Sequence, residues 1–309
     1  YFEEGKYPDG NSDFVGESFE QLAEHYREIR GGDLRERYRS IGLDPDDLVG
    51  RPVYKDGLFT HVKGIGWVVE AYQRAQVSLN LTNYKITAPQ EVLEAARELA
   101  AERGMVVTGS EIVGVVPFDA MRQAGRFYLR RMRKSTGVPS RDLVTTAAQA
   151  MGLDDVAEFD VDRKVIGMPR QDGPLVSKTV SEFVDEVSRD TPAPGGGSIA
   201  ALAGALGAAL ASMVANLSVG KGEFDAQYAE LCDLAERAQA AKDELVRAID
   251  ADTEAFNEVI AGLRMPKDTA EQIALRAEAI QAGYKSAAEV PLRTAQICRE
   301  VLYLWQAAA

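Results

Sequence analysis

Residues 199–219 read IAALAGALGAALASMVANLSV, twenty-one positions without a charge, and such a run leaves a chain few ways to fold. As a helix it is long enough to cross a bilayer. The spacing of Gly204, Gly207 and Ala211 also suits close contact between membrane helices. Against that, Ala and Gly dominate, Ser212, Asn216 and Ser218 interrupt the run, and no basic cluster or aromatic belt marks its ends. The expectation is a helix buried on all sides, whose small residues let neighbouring helices approach closely. Immediately before it stands Pro192-Ala193-Pro194-Gly195-Gly196-Gly197-Ser198. Glycines there free backbone N–H groups to face a ligand, and the following helix presents its positive end, so an anion is expected. The competing reading is a tight turn with Ser198 helping to cap the helix.

The rest of the chain divides around a polar stretch punctuated by Gly167, Pro169, Gly173 and Pro174. Residues 1–50 hold a tail (1–11), a helix-like run over 18–30, a second short helix from Asp33 and a turn at Asp44-Pro45. Residues 51–170 alternate β-branched and aromatic positions in two runs joined near 71–74, which predicts two antiparallel strands. A helix follows from Thr87 to Gly104, then a strand over 105–116, a helix from Pro117 to Arg131 and another from Pro139 to Gly152. That order is α+β, a ferredoxin-like α/β sandwich. After a linker at 171–177, residues 178–309 are helical in pattern. Segments near 179–188, 197–219, 224–263, 268–288 and 291–306 predict an all-α bundle.

Composition narrows the function. A formal net charge of −13 over 309 residues disfavours phosphate backbones and anionic lipid as partners, so neither nucleic acid nor membrane is expected. Cys232 and Cys298 lie far apart, His25 and His61 stand alone, and no HExxH or CxxC occurs. No metal is predicted, and a reducing compartment, the cytoplasm, is expected. The opening segment lacks the basic-then-apolar pattern of a secretory signal.

The run Thr191–Lys221, followed by DADTEAF at 250–256 and MPK at 265–267, resembles the formimidoyltetrahydrofolate cyclodeaminase and methenyltetrahydrofolate cyclohydrolase family. Upstream, AQVSLNLTNYKIT at 75–87 and TGSEIVGVVP at 108–117 resemble the C-terminal subdomain of glutamate formimidoyltransferase. The combined order is similar to the bifunctional formimidoyltransferase-cyclodeaminases from about Val53 onward. The resemblance implies tetrahydrofolate as co-substrate, with or without a polyglutamate tail, N-formimino-L-glutamate as formimino donor, and a place in histidine breakdown. It also implies that a transferase subdomain carrying the catalytic histidine, and further cyclodeaminase helices, belong to the family but have no match here. Two other readings stay open: a methenyltetrahydrofolate cyclohydrolase, and a non-catalytic folate-binding or oligomer-forming piece. The Ala/Gly helix suits tight association, and a homo-oligomer is expected.

Cyclodeamination moves a proton off N10 and onto the departing nitrogen, which is work for a carboxylate or for a lysine with a shifted pKa. Asp250 and Asp252 are the candidates, the alternative being a plain charged helix surface, and two residues apart on a helix they point to different faces. Asp252 is favoured because it lies four residues before Phe256, on a face that must turn inward, whereas Asp250 sits above Glu254 on an expected solvated face. Pro194, Gly195, Gly196, Gly197 and Ser198 are expected to hold the folate glutamate tail, with Asn216 and Lys221 adding an amide and a cation to the same pocket, or with Lys221 an ordinary solvated helix-end lysine. Lys267, in a connection between helices, is a candidate for a folate carboxylate or an ordinary loop lysine. Ser110, Glu111 and Asn80 are candidates for a folate-facing wall, or plain strand-end polar residues.

Overall fold

The computed structural model describes residues 33–40, 42, 44, 58–70, 73–155, 157–169 and 172–308. The expected tail at 1–11, the helix at 18–30 and Pro45 lie outside them. The chain divides into two compact units, Tyr1–Gly104 and Met105–Ala309.

In the first unit, helix α1 spans Leu34–Ser40. Strands β1 (Val62–Val69) and β2 (Arg74–Leu81) form the expected antiparallel pair, in register from Val62↔Leu81 to Val69↔Arg74. Helix α2 (Pro89–Ala101) opens with a proline that has no N–H to satisfy. The Glu91 carboxylate reaches back to accept the Ala88 N–H at 3.1 Å, while Thr87 Oγ1 donates to Thr60 O at 2.6 Å.

The second unit departs from expectation at its start. The strand expected over 105–116 shrinks to β3, Val116–Pro117, which pairs in parallel with β4, Val165–Ile166. The reason lies in where the backbone groups go: Ser110 N–H donates to Gly152 O at 3.2 Å and Ser110 Oγ to Met151 O at 2.8 Å. Those carbonyls end a helix, so the segment caps a helix terminus instead of extending a sheet. Helices α3 (Phe118–Arg131) and α4 (Ser140–Met151) follow, the latter closed by Gly152 at φ 66°. The short α5 (Val161–Lys164) is capped by Asp160.

Five helical segments complete this unit: α6 (Val180–Val187), α7 (Gly196–Ser218), a 3-10 turn (Gly222–Gln227), α8 (Tyr228–Arg264) and α9 (Ala270–Ala308). The α+β portion followed by a helical region is therefore the observed order. One helix break was expected and is absent, because α9 runs straight through Pro291. Both halves of α9 are held on α8, Gly283 against the Val259 backbone and Ile297 and Val301 against Ala241 and Leu245, and this packing outweighs one missing hydrogen bond.

Helix α7 buries a seam of Ala201, Ala205, Ala208, Ala211 and Ala215 against α8 and α9. It is not buried on all sides. Ile199, Ala203, Leu206, Leu210, Met213 and Leu217, spaced alternately four and three residues apart, stay exposed on the far side, because α8 and α9 cover only one face. By length and hydropathy α7 alone among the described helices would suffice to cross a membrane, and 39% of its most apolar window is buried within the chain.

The segment between α3 and α4 wedges against α7 and α8. Gly137 meets Ala235 so closely that a methyl group would overlap it. Around it, Ser135 donates to Asn216 Oδ1 (2.5 Å), Asn216 Nδ2 and Ser212 Oγ donate to Gly137 O (both 3.0 Å), and Thr136 Oγ1 donates to Glu236 (2.6 Å). Glu236 also accepts from Arg126 at 2.9 Å and Arg130 at 3.3 Å.

Candidate functional site

Helix α7 begins without a side-chain cap of its own, since Gly195 occupies the cap position in an extended conformation. The first N–H groups of a helix need acceptors, and here one comes from another helix. Asp252, in the C-terminal half of α8, places Oδ2 2.9 Å from Ser198 N and 3.3 Å from Ser198 Oγ. Oδ1 lies over Gly197, where any Cβ would overlap it. The Ser198 hydroxyl donates to Ile249 O at 2.7 Å and stands 3.2 Å from Thr253 Oγ1.

Beside this junction opens a cleft of about 210 Å³, lined by Pro192, Ala193, Gly195 and Gly196 from the loop, Asp252 and Phe256 from α8, and Ala287 from α9. Asp252 and Phe256, one helical turn apart, face it together. The arrangement offers a carboxylate at the edge of an apolar wall, with backbone close by. Such a site suits a planar cationic group that must give up or receive a proton.

Several sequence expectations change. The helix N-terminus was expected to hold an anion from solution, yet Asp252 already supplies that anion from within the chain. Ser198 is fully buried and directs its hydroxyl inward, so it presents no surface to a ligand. Asp250 is not on a solvated face. It is buried and accepts the Leu175 N–H at 2.7 Å and the Val176 N–H at 3.2 Å, holding the connection before α6. Asn216 and Lys221 do not join the glycine loop, because they stand at and beyond the opposite end of α7, about 30 Å away at 1.5 Å per residue. Asn216 is engaged with Ser135 and Gly137. Lys267 is exposed beyond the end of α8, which continues for about 18 Å past Asp252.

Ser110 is committed to the end of α4, Glu111 is exposed beside it, and Asn80 is exposed on β2 in the other compact unit, paired across the ladder with Lys63. Neither Ser110 nor Glu111 ends a strand. Among the described residues, no group of three His, Cys, Asp or Glu gathers as a metal site.

Sequence reasoning passed over Ala287 at the cleft, Thr253 beside the buried Ser198 hydroxyl, and the polar cluster around Glu236. In that cluster Arg126 is held below its ordinary pKa chiefly by burial, with Glu236 pulling the other way. Thr253 stands inside the DADTEAF segment, but nothing local in the sequence marks the others, since each pairing joins positions on separate elements.

Residues 33–169 match the family model described as formiminotransferase domain, and residues 179–309 match that described as formiminotransferase-cyclodeaminase. These matches divide the chain near 170, whereas compactness divides it after Gly104, because the wedge between α3 and α4 ties 105–169 to the bundle. A formimidoyltransferase-cyclodeaminase of Mus musculus is 37% identical over 262 residues, 84% of this chain and 48% of that protein. A methenyltetrahydrofolate cyclohydrolase of Methylorubrum extorquens is 41% identical over 128 residues, 41% of this chain and 62% of that protein. A glutamate formimidoyltransferase of Thermoplasma acidophilum is 38% identical over 76 residues, 25% of each chain. The chain spans about half the length of the bifunctional relatives it matches.

Proposed function

This chain belongs to the formiminotransferase-cyclodeaminase family, and on that premise we propose that its helical region converts 5-formimidoyltetrahydrofolate to 5,10-methenyltetrahydrofolate with release of ammonia. The observation that carries this reading is the Asp252 carboxylate at the edge of the cleft, opposite glycine backbone and beside Phe256. The formimidoyl group is an amidine, cationic when protonated, and a carboxylate attracts it. N10 attacks the amidine carbon, a C–N bond forms, and Asp252 takes the N10 proton. The same proton passes to the exocyclic nitrogen, whose C–N bond breaks as ammonia leaves and the ring amidinium remains. Tetrahydrofolate is the carrier in this step and the co-substrate of the transfer that precedes it, and no step calls for a metal.

The cleft receives the formimidoyl end and not the anionic glutamate tail, which Asp252 would repel. Residues 33–169 contribute to the preceding transfer of the formimino group from N-formimino-L-glutamate to N5, within the breakdown of histidine. Supporting the homo-oligomeric reading is the exposed apolar stripe on α7, which a second copy of the helix would cover. The unpaired Cys232 and Cys298 fit a reducing cytoplasm.

Incubation with 5-formimidoyltetrahydrofolate tests the proposal through ammonia release and the absorbance of the methenyl product. Retained folate binding without product overturns it. The likeness to the cyclohydrolase favours a second reading, in which water adds to the methenyl carbon and opens the ring. Loss of methenyl absorbance on supplying 5,10-methenyltetrahydrofolate, without turnover of the formimidoyl substrate, selects it.

A further inference from the structure

Resting on the assignment of Asp252 as the proton carrier, we infer that Ser198 is a positioning residue for that carboxylate and that Gly197 is the residue that makes room for it. Ser198 is 0% exposed, so its effect on substrate is indirect. Its N–H, fixed by the first turn of α7, donates to Asp252 Oδ2 at 2.9 Å. Its hydroxyl has one proton and spends it on the nearer acceptor, Ile249 O at 2.7 Å, with Asp252 Oδ2 at 3.3 Å as the weaker branch. Thr253 Oγ1 at 3.2 Å then donates to Ser198 Oγ. Three residues of α8 are thereby locked to one residue of α7.

The consequence is orientational. A carboxylate on an exposed helix face samples several rotamers, whereas this one is clamped through Oδ2. Oδ1 accepts no hydrogen bond from any described residue and lies over Gly197, where any side chain would displace it. One oxygen holds the geometry, and the other is left to take the proton. A displacement of about 1 Å in such a group costs on the order of 100-fold in rate.

The test is a double-variant cycle on the whole chain, read as kcat and KM with 5-formimidoyltetrahydrofolate, with melting temperature recorded for each variant. Ser198→Ala keeps the N–H and loses the hydroxyl. It is expected to lower kcat about 10-fold with KM within about twofold, a fraction of the 100-fold or more expected for loss of a general base. Gly197→Ala is expected to match Asp252→Asn, about 100-fold down. In the Asp252→Asn background, Ser198→Ala is expected to have no further effect on kcat, since it acts only through that carboxylate. Effects that multiply in the double variant, or a Ser198→Ala change confined to KM, overturn the inference. Should Ser198→Ala fail to fold, Thr253→Val, which removes the hydroxyl donating to Ser198, takes its place in the same cycle. An inactive unsubstituted chain overturns the underlying reading and the inference with it. An active unsubstituted chain with unaltered Ser198→Ala and Gly197→Ala overturns the inference alone.

Discussion

Asp250 Oδ1 accepts the Leu175 N–H at 2.7 Å across 75 residues of sequence, and Oδ2 of the same carboxylate accepts Val176 N–H at 3.2 Å. This pair anchors the connection before α6 to the middle of α8. Asp250→Ala leaves two N–H groups without their acceptor, and hydrogen bonds to a charged group contribute about 1.5–3 kcal/mol. A loss of about 2–3 kcal/mol in urea unfolding is expected. Catalysis per folded molecule should change little, unlike for Asp252.

Gly137 and Gly207 should respond in opposite directions. A methyl at Gly137 overlaps Ala235, including its backbone, so Gly137→Ala is expected to cost about 1–3 kcal/mol by overpacking. At Gly207 the nearest atom to a new methyl is Val301 Cγ1 at 3.7 Å, an ordinary contact inside α7. Gly207→Ala gains helix propensity and is expected to stabilise by about 0.5–1 kcal/mol. Thermal melts of the two variants check both signs.

Glu236 accepts from Arg126, Arg130 and Thr136 where α3 and the following wedge meet α8. Glu236→Ala leaves a largely buried guanidinium uncompensated, against a burial that already depresses the Arg126 pKa. A cost of about 3 kcal/mol is expected, below the upper end for fully buried pairs because part of the cluster reaches solvent. Replacing Arg126 by Met as well should recover part of it, which a double-variant cycle in urea would show.

Glu182 provides the pH-dependent cap of α6. Its carboxylate accepts Thr179 N–H at 2.9 Å and Thr179 Oγ–H at 2.8 Å, and the backbone hydrogen bond first, then the hydroxyl, holds its pKa below the ordinary 4.5. A depressed carboxylate stabilises above its unfolded pKa, and that contribution fades as pH falls through the folded value. The Thr179 amide resonance should therefore titrate with a midpoint below 4.5, and Glu182→Gln should abolish the titration.

The exposed stripe on α7 gives a test of self-association. Leu210→Glu places a charge at its centre, and sedimentation is expected to show a smaller species than the unsubstituted chain. Equal sedimentation of both would remove the stripe as the contact.

Helix positions and the α+β-then-helical order were legible because periodicity, prolines and glycines act locally. Gly152 closes α4 and Pro89 opens α2 as their backbone chemistry requires. The glycine loop and the DADTEAF segment were likewise visible as sequence. What the sequence alone could not decide is which carboxylate points where. Asp250 and Asp252 are two residues apart, and only the packing of α8 against α7 and against the connection before α6 sends one to Leu175 and the other to Ser198. The same holds for residues 105–115, whose β-like composition yields to hydrogen bonds offered by the end of α4. The charge-free run of α7 determined by itself that a helix of small residues would form. Tertiary structure decided that its positive end is met by Asp252, and that only one of its faces is covered, because hydrogen-bond partners and buried area depend on which neighbours arrive.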